Sequence, residues 1–203
     1  MIKYYNVFSA DDVEGIDFKS PENTMPVTIN GKIEVCEQIV ENFPVPKINI
    51  VHKDKDNAYY TPLLDIVNMP DMNFFKDAQS YYSTLFHELV HSTGSQKRLA
   101  REMGKKFGDK KYAAEELIAE LGASYLNAES GILYFNIKNS AAYLKGWRKV
   151  LINEMKEDNK FFIRASSAAQ KAVNYILQYD EQGVPLYLKK TTADTIKNKG
   201  AEK

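Results

Sequence analysis

His87-Glu88-Leu89-Val90-His91 sets two imidazoles four residues apart, with a carboxylate beside the first. At about 3.6 residues per helical turn, positions four apart stack on one face, so both rings can reach a single metal ion. Glu88 then stands where it can reach a water activated at that ion. Two histidines as ligands and an adjacent glutamate as acid/base make up the residue pattern of metal-assisted hydrolysis. Tyr81, Leu85 and Leu89 supply an apolar stripe that anchors such a helix on its opposite side.

A catalytic zinc centre typically takes three protein ligands and keeps one position for water. His52, the remaining histidine, falls at the end of a predicted strand and reads as an ordinary loop residue. Downstream, Glu115, Glu116 and Glu120 share a helical stretch with core-forming Ile118, Leu121 and Tyr125. Glu116 and Glu120 lie on one face, and Glu115 is turned roughly a quarter circle away. Carboxylates on a largely apolar helix are costly unless something cationic compensates them. Glu116 is assigned as the third ligand and Glu120 as the acceptor that orients a zinc-bound imidazole; helix geometry alone also permits the swapped roles. Gly122, Ala123 and Ser124 follow, small enough to let this helix approach the histidine helix closely.

Other elements must position these two helices. Tyr4 to Phe8 reads as a short strand, residues 9–30 as an extended loop, and Ile33 to Phe43 as an amphipathic helix ended by Pro44. Strands are expected at Lys47–Val51, Ala58–Tyr60 and Leu63–Asn68, the last stopped by Met69-Pro70. Helical periodicity fills 77–93, 111–130, 140–157 and 160–179, with Gly94 and Gly131 placed as C-terminal caps. Strands followed by a run of helices predict an α+β fold, with a small, mostly antiparallel sheet and a helical half. One domain is expected over 1–188, followed by a polar, disordered tail over 189–203.

Composition narrows the classes. The 203 residues are 44% hydrophobic, with 27 basic against 27 acidic side chains, so charge alone argues neither for a phosphate backbone nor for a DNA mimic. No run approaches the roughly 18 apolar residues of a spanning helix, so no membrane partner is expected. The amino terminus lacks a secretory pattern, and the single Cys36 fits a reducing, cytoplasmic compartment. Locally, seven basic residues (Lys97, Arg98, Arg101, Lys105, Lys106, Lys110, Lys111) face only Glu102 and Asp109. That loop reads chiefly as a solvated segment, and otherwise as a rim for an acidic substrate or nucleic acid. Tyr112, Tyr143 and Arg98 are candidate donors to a developing oxyanion. Phe135, Trp147, Phe161 and Phe162 read as core.

Tyr81 to Gly94 (YYSTLFHELVHSTG) resembles the zincin-like metallopeptidase domain of ArdC-type antirestriction proteins. Lys3–Phe8, Tyr59–Pro62, Tyr112–Ala123 and Ala165–Gln170 match in the same order, so the resemblance runs from residue 3 to about 179. It implies a zincin-like fold with Zn²⁺ on His87, His91 and a glutamate of the downstream helix, Glu88 as acid/base, and a protein or peptide substrate laid along Leu63–Asn68. It also implies a mobile-element origin and an antirestriction role. Complete members pair a single-stranded-DNA-binding domain with this one, and the chain starts where the second domain is expected to start. The competing expectation is a non-catalytic binding module with a structural metal site that contacts DNA or a restriction enzyme.

Overall fold

The computed structural model describes residues 14–15, 31–104, 110–132 and 150–189. The predicted strand Tyr4–Phe8, most of the loop 9–30, residues 140–149 of the predicted helix, and the tail beyond 189 lie outside the described residues.

Helix α1 (Glu34–Glu41) starts with Glu34 and Glu37 in its first turn, where carboxylates meet the positive end of the helix dipole. Its stripe of Cys36 and Ile39 is buried, as are the flanking Ile33 and Phe43. The hydroxyl of the fully buried Tyr82 donates to Glu37 Oε1 at 2.6 Å and fastens α1 to the histidine helix.

Three short strands follow: β1 (Asn49–Val51), β2 (Tyr59–Thr61) and β3 (Ile66–Asn68). They lie in the order β1-β3-β2, with β1 parallel and β2 antiparallel to β3. The sheet is therefore mixed rather than mostly antiparallel. Val67 stands opposite both Ile50 and Tyr60 and is fully buried. The strand expected over Leu63–Asn68 is shortened to its last three residues, Ile66–Asn68. Leu63 (92% exposed) and Leu64 (65% exposed) stand largely outside the core and form a turn with Asp65, whose φ is +53°. Because both edges of β3 are hydrogen-bonded, it offers no substrate an open edge. Among the described residues β2 is an edge strand.

Helix α2 (Ala78–Thr93) carries the His-Glu-x-x-His sequence; Asp77 caps it by accepting from Ser80 N at 2.7 Å. Rather than one packing face and one open face, it is buried on nearly all sides. Helix α3 (Lys110–Glu129) packs against it, and α4 (Phe161–Leu177) packs against α3 in turn, with Ala165, Ala169, Ala172 and Val173 buried. Residues 150–157 are also helical. Phe161 belongs to the core as expected, but Phe162, next along the first turn of α4 and so on another face, is 47% exposed. Phe135 and Trp147 lie outside the described residues.

The caps differ in kind. Gly131 adopts φ +77°, the left-handed conformation that favours glycine after a helix. Gly94 is right-handed, and its reason is space: a Cβ there would sit 3.1 Å from Arg101 Nη2, His91 O and Met103 Sδ. Gly122 does what the small-residue run predicts, since a Cβ there would press to 2.8 Å from Val90 Cγ2. It brings α3 close against α2. Among the described residues no helix is long and apolar enough to cross a membrane.

Candidate metal centre

Contacts between α2 and α3 run in opposite sequence directions: His91 to Glu115, His87 to Glu120, and Ser83 to Asn127. The two helices are thus antiparallel, and their facing surfaces carry a polar ladder inside an otherwise apolar interface. Glu116 reaches between the two rings, with Oε2 3.6 Å from His87 Nε2 and Oε1 3.6 Å from His91 Nε2. The two Nε2 atoms are 3.1 Å apart. His87, His91 and Glu116 form a group able to hold a metal ion.

The spacing fits such an ion. Tetrahedral zinc, with bonds of about 2.0–2.1 Å, sets its ligand atoms about 3.3–3.4 Å from one another. The separations of 3.1, 3.6 and 3.6 Å bracket that range. The donor chemistry fits as well. His91 Nδ1 faces Glu115 Oε1 at 3.2 Å, which favours a proton on Nδ1 and turns the bare Nε2 lone pair of His91 toward His87 and Glu116, while His87 Nδ1 lies 3.6 Å from Glu120 Oε1. Three acceptors converging in a buried place call for a cation.

Burial resists protonation of His87, but its hydrogen bond to Glu116 and the charges of Glu88 and Glu120 outweigh burial and lift the imidazole above its ordinary value. A proton on His87 can thus partly offset the converging acceptors. Glu115 shows the opposite balance. Burial pushes its carboxyl up, while hydrogen bonds from Arg101 and His91 hold it below the usual carboxylate range.

Glu88 is 8% exposed and lines a cavity of about 310 Å³ with His91, Glu116 and Tyr112. The outer wall of that cavity is β2 and its flanks, Ala58, Tyr59, Tyr60 and Pro62. Burial, then the Glu116 charge and hydrogen bond, push the Tyr112 phenol up to about 12, so it stays a donor at neutral pH. Gly104 lies against the Tyr112 backbone, where a Cβ would collide.

Sequence reasoning thus named His87, Glu88, His91, Glu116 and Glu120, and the fold brings all five together. His52 lies apart; its Nδ1 is 2.8 Å from Met69 O. Of the oxyanion candidates, Tyr112 lines the cavity, Tyr143 lies outside the described residues, and Arg98 is misplaced. Its side chain is fully buried against Asp65, away from the cavity. The basic excess of the loop is largely offset. Lys97 pairs with Asp65, Lys110 with Glu154, Lys111 with Glu102 and Arg101 with Glu115; Lys105, Lys106 and Asp109 lie outside the described residues. Sequence reasoning missed Glu115 and Arg101. A third glutamate in a helix with so little exposed surface was the available signal.

Comparison with known proteins agrees with this geometry. Residues 36–168 match a family model described as zincin-like metallopeptidase. The chain is 32% identical over 182 residues to an Escherichia coli protein named DNA primase TraC, covering 89% of this chain and 16% of that protein. It is 30% identical to the uncharacterized protein y4eC of Sinorhizobium fredii, covering 85% of this chain and 52% of the relative. The Mn(II)-bound crystal structure of the antirestriction ArdC protein from the R388 plasmid superposes with a TM-score of 0.64 at 32% identity, over 86% of this chain and 61% of that one. Its metal-free form gives 0.59 at 33% identity, over 85% and 58%. The chain therefore spans only part of each of these relatives. With a model match over well more than half its length, and with the His-Glu-x-x-His helix facing Glu116, the chain belongs to the zincin-like metallopeptidases.

Proposed function

We propose that this domain is a zinc-dependent peptidase that hydrolyses peptide bonds of a protein substrate in the cytoplasm, in an antirestriction or other anti-defence role like that named for its ArdC neighbour. The observation that carries it is the convergence of His87 Nε2, His91 Nε2 and Glu116 on one buried point beside the Glu88 cavity. A divalent cation held there supplies Lewis acidity, which acidifies water and polarises a carbonyl. Glu88 takes the proton of the attacking water and returns it to the departing amine. The Tyr112 hydroxyl, kept protonated by its surroundings, donates to the carbonyl oxygen as negative charge grows on it. Glu120 orients the His87 ring. An extended peptide paired to the outer edge of β2 would run along the cavity wall, which replaces the role first expected of Leu63–Asn68.

Glu88→Gln tests this. The variant keeps the shape of the side chain and leaves the three ligands in place. The expected result is unchanged zinc binding with peptide cleavage, followed by mass spectrometry on a denatured-protein digest, slowed by roughly 10²–10⁴-fold. Cleavage at the wild-type rate would overturn the assignment of Glu88. Zinc binding without cleavage by the wild type would favour a binding module.

A further inference from the structure

Resting on the metal-site reading above, we infer that Arg101 and Glu115 form a single positioning unit for His91, holding its ring so that Nδ1 donates outward and Nε2 faces the cation position. Glu115 Oε1 stands 3.2 Å from His91 Nδ1. Both Glu115 oxygens are gripped by the Arg101 fork, Nε to Oε2 at 3.0 Å and Nη2 to Oε1 at 2.6 Å. A bidentate guanidinium fixes the plane of a carboxylate as well as its distance, and so fixes the direction from which it meets the imidazole.

The other Arg101 contacts return to the helix that carries His91. Nη1 donates to Thr93 Oγ1 at 2.6 Å and Nη2 to Val90 O at 2.8 Å. Arg101 therefore locks Glu115 of α3 to the last turn of α2, and His91 sits inside that lock. Side-chain exposures of 12% for Arg101 and 5% for Glu115 leave water little room to compete. The pair is internally neutral, so Glu115 orients the ring without adding an uncompensated charge to a site that already holds Glu88 and Glu116. Gly94 supplies an independent mark of the same arrangement. A Cβ there would press to 3.1 Å on both Arg101 Nη2 and His91 O, so the missing side chain makes room for the guanidinium. His87 Nδ1 lies 3.6 Å from Glu120 Oε1.

The test uses the full chain with ¹⁵N-labelled histidine, metal-free and zinc-loaded, together with zinc affinity from competition with a chromophoric chelator. The wild type is expected to show a slowly exchanging Nδ1–H resonance from His91. Glu115→Ala should remove it and leave the His87 resonances in place, and Arg101→Ala should broaden it. Both variants should bind zinc roughly 10–100-fold more weakly. Arg101→Lys, which keeps a charge but not a fork, should restore only a minor part. Glu115→Gln, which keeps an acceptor, should retain the resonance, and these two milder variants decide the matter if the alanine variants misfold. A His91 resonance that is absent in the wild type, or that survives Glu115→Ala, overturns the proposal. So does unchanged zinc affinity in folded variants. A wild type that binds no zinc counts against the metal reading of the preceding section, and the metal-free resonance still decides this one.

Discussion

Arg98 and Arg101 lie three residues apart in one loop, and each clamps a carboxylate with two nitrogens, the partly buried Asp65 in one case and the buried Glu115 in the other. Each also donates to a carbonyl in the last turns of α2: Arg98 to Ser92 O at 3.1 Å, Arg101 to Val90 O at 2.8 Å. Cations there satisfy orphan carbonyls and the negative end of the dipole. The difference is what stands behind the carboxylate. Behind Asp65 are the Tyr60 hydroxyl at 3.0 Å and Lys97 at 3.3 Å, so that pair ties the β2–β3 turn to α2 and packs under Phe43. Behind Glu115 is His91. The same clamp therefore holds up a cavity wall in one place and aims a metal ligand in the other. A buried arginine pair is read by its third partner.

The largest separation between the two clamps should appear in stability. Asp65→Asn retains a residue that tolerates left-handed backbone but leaves the fully buried Arg98 side chain uncompensated. Chemical denaturation should show a loss of about 3–5 kcal/mol. Zinc affinity of the remaining folded protein should hold. A parallel loss of affinity would show that the wall and the ligand are one unit.

A smaller effect should link spacing to the site. Gly122→Ala forces a Cβ to 2.8 Å from Val90 Cγ2, which pushes α2 and α3 apart. Overpacking of this kind costs about 1–3 kcal/mol. Zinc binding should weaken with it, because the ligands come from both helices; calorimetric titration checks this.

The next effect is the acid limb of the stability curve. Burial pushes the Asp65 carboxyl up, but Arg98 and Tyr60 outweigh burial and hold it below the usual range. The unfolded chain then binds the proton more readily, so the contribution is present above the ordinary carboxylate value of about 3.9 and fades as pH falls through the folded value. Metal-free wild type should lose stability over that acid range more steeply than Asp65→Asn. Equal slopes would remove Asp65 as a source.

The smallest effect belongs to the exposed pairs. Lys111 and Glu102 meet at 2.6 Å with side chains 61% and 79% exposed. Lys111→Ala should leave stability nearly unchanged on chemical denaturation and zinc affinity unchanged on titration. A large effect would mean that this rim belongs to the site.

How much of this could be read beforehand depended on whether the partners share a helix. His87, Glu88 and His91 declare themselves because four residues of spacing fix their common face. Glu116 and Glu120 follow from the cost of carboxylates among Ile118, Leu121 and Tyr125. Glu115 does not declare itself, because a helical wheel ranks faces on one helix and says nothing of the width of its neighbour. Both histidine rings lie between the helices, and the α3 surface that meets them is broad enough to include a residue a quarter turn away. Arg98 and Arg101 looked like members of one charge run because their carboxylates lie 33 residues upstream and 14 downstream. The strands fared worst. With three residues apiece, pattern could not separate β3 from the exposed Leu63-Leu64 turn, nor set the parallel pairing with β1.

Calorimetric titration of zinc into the metal-free chain, wild type beside Glu116→Ala, goes to the heart of the account. The wild type should take one ion per chain and gain about 2.7 kcal/mol of stability at zinc 100-fold above its dissociation constant, and Glu116→Ala should show neither. Equal binding by both chains, or none by the wild type, would contradict a cation held jointly by α2 and α3.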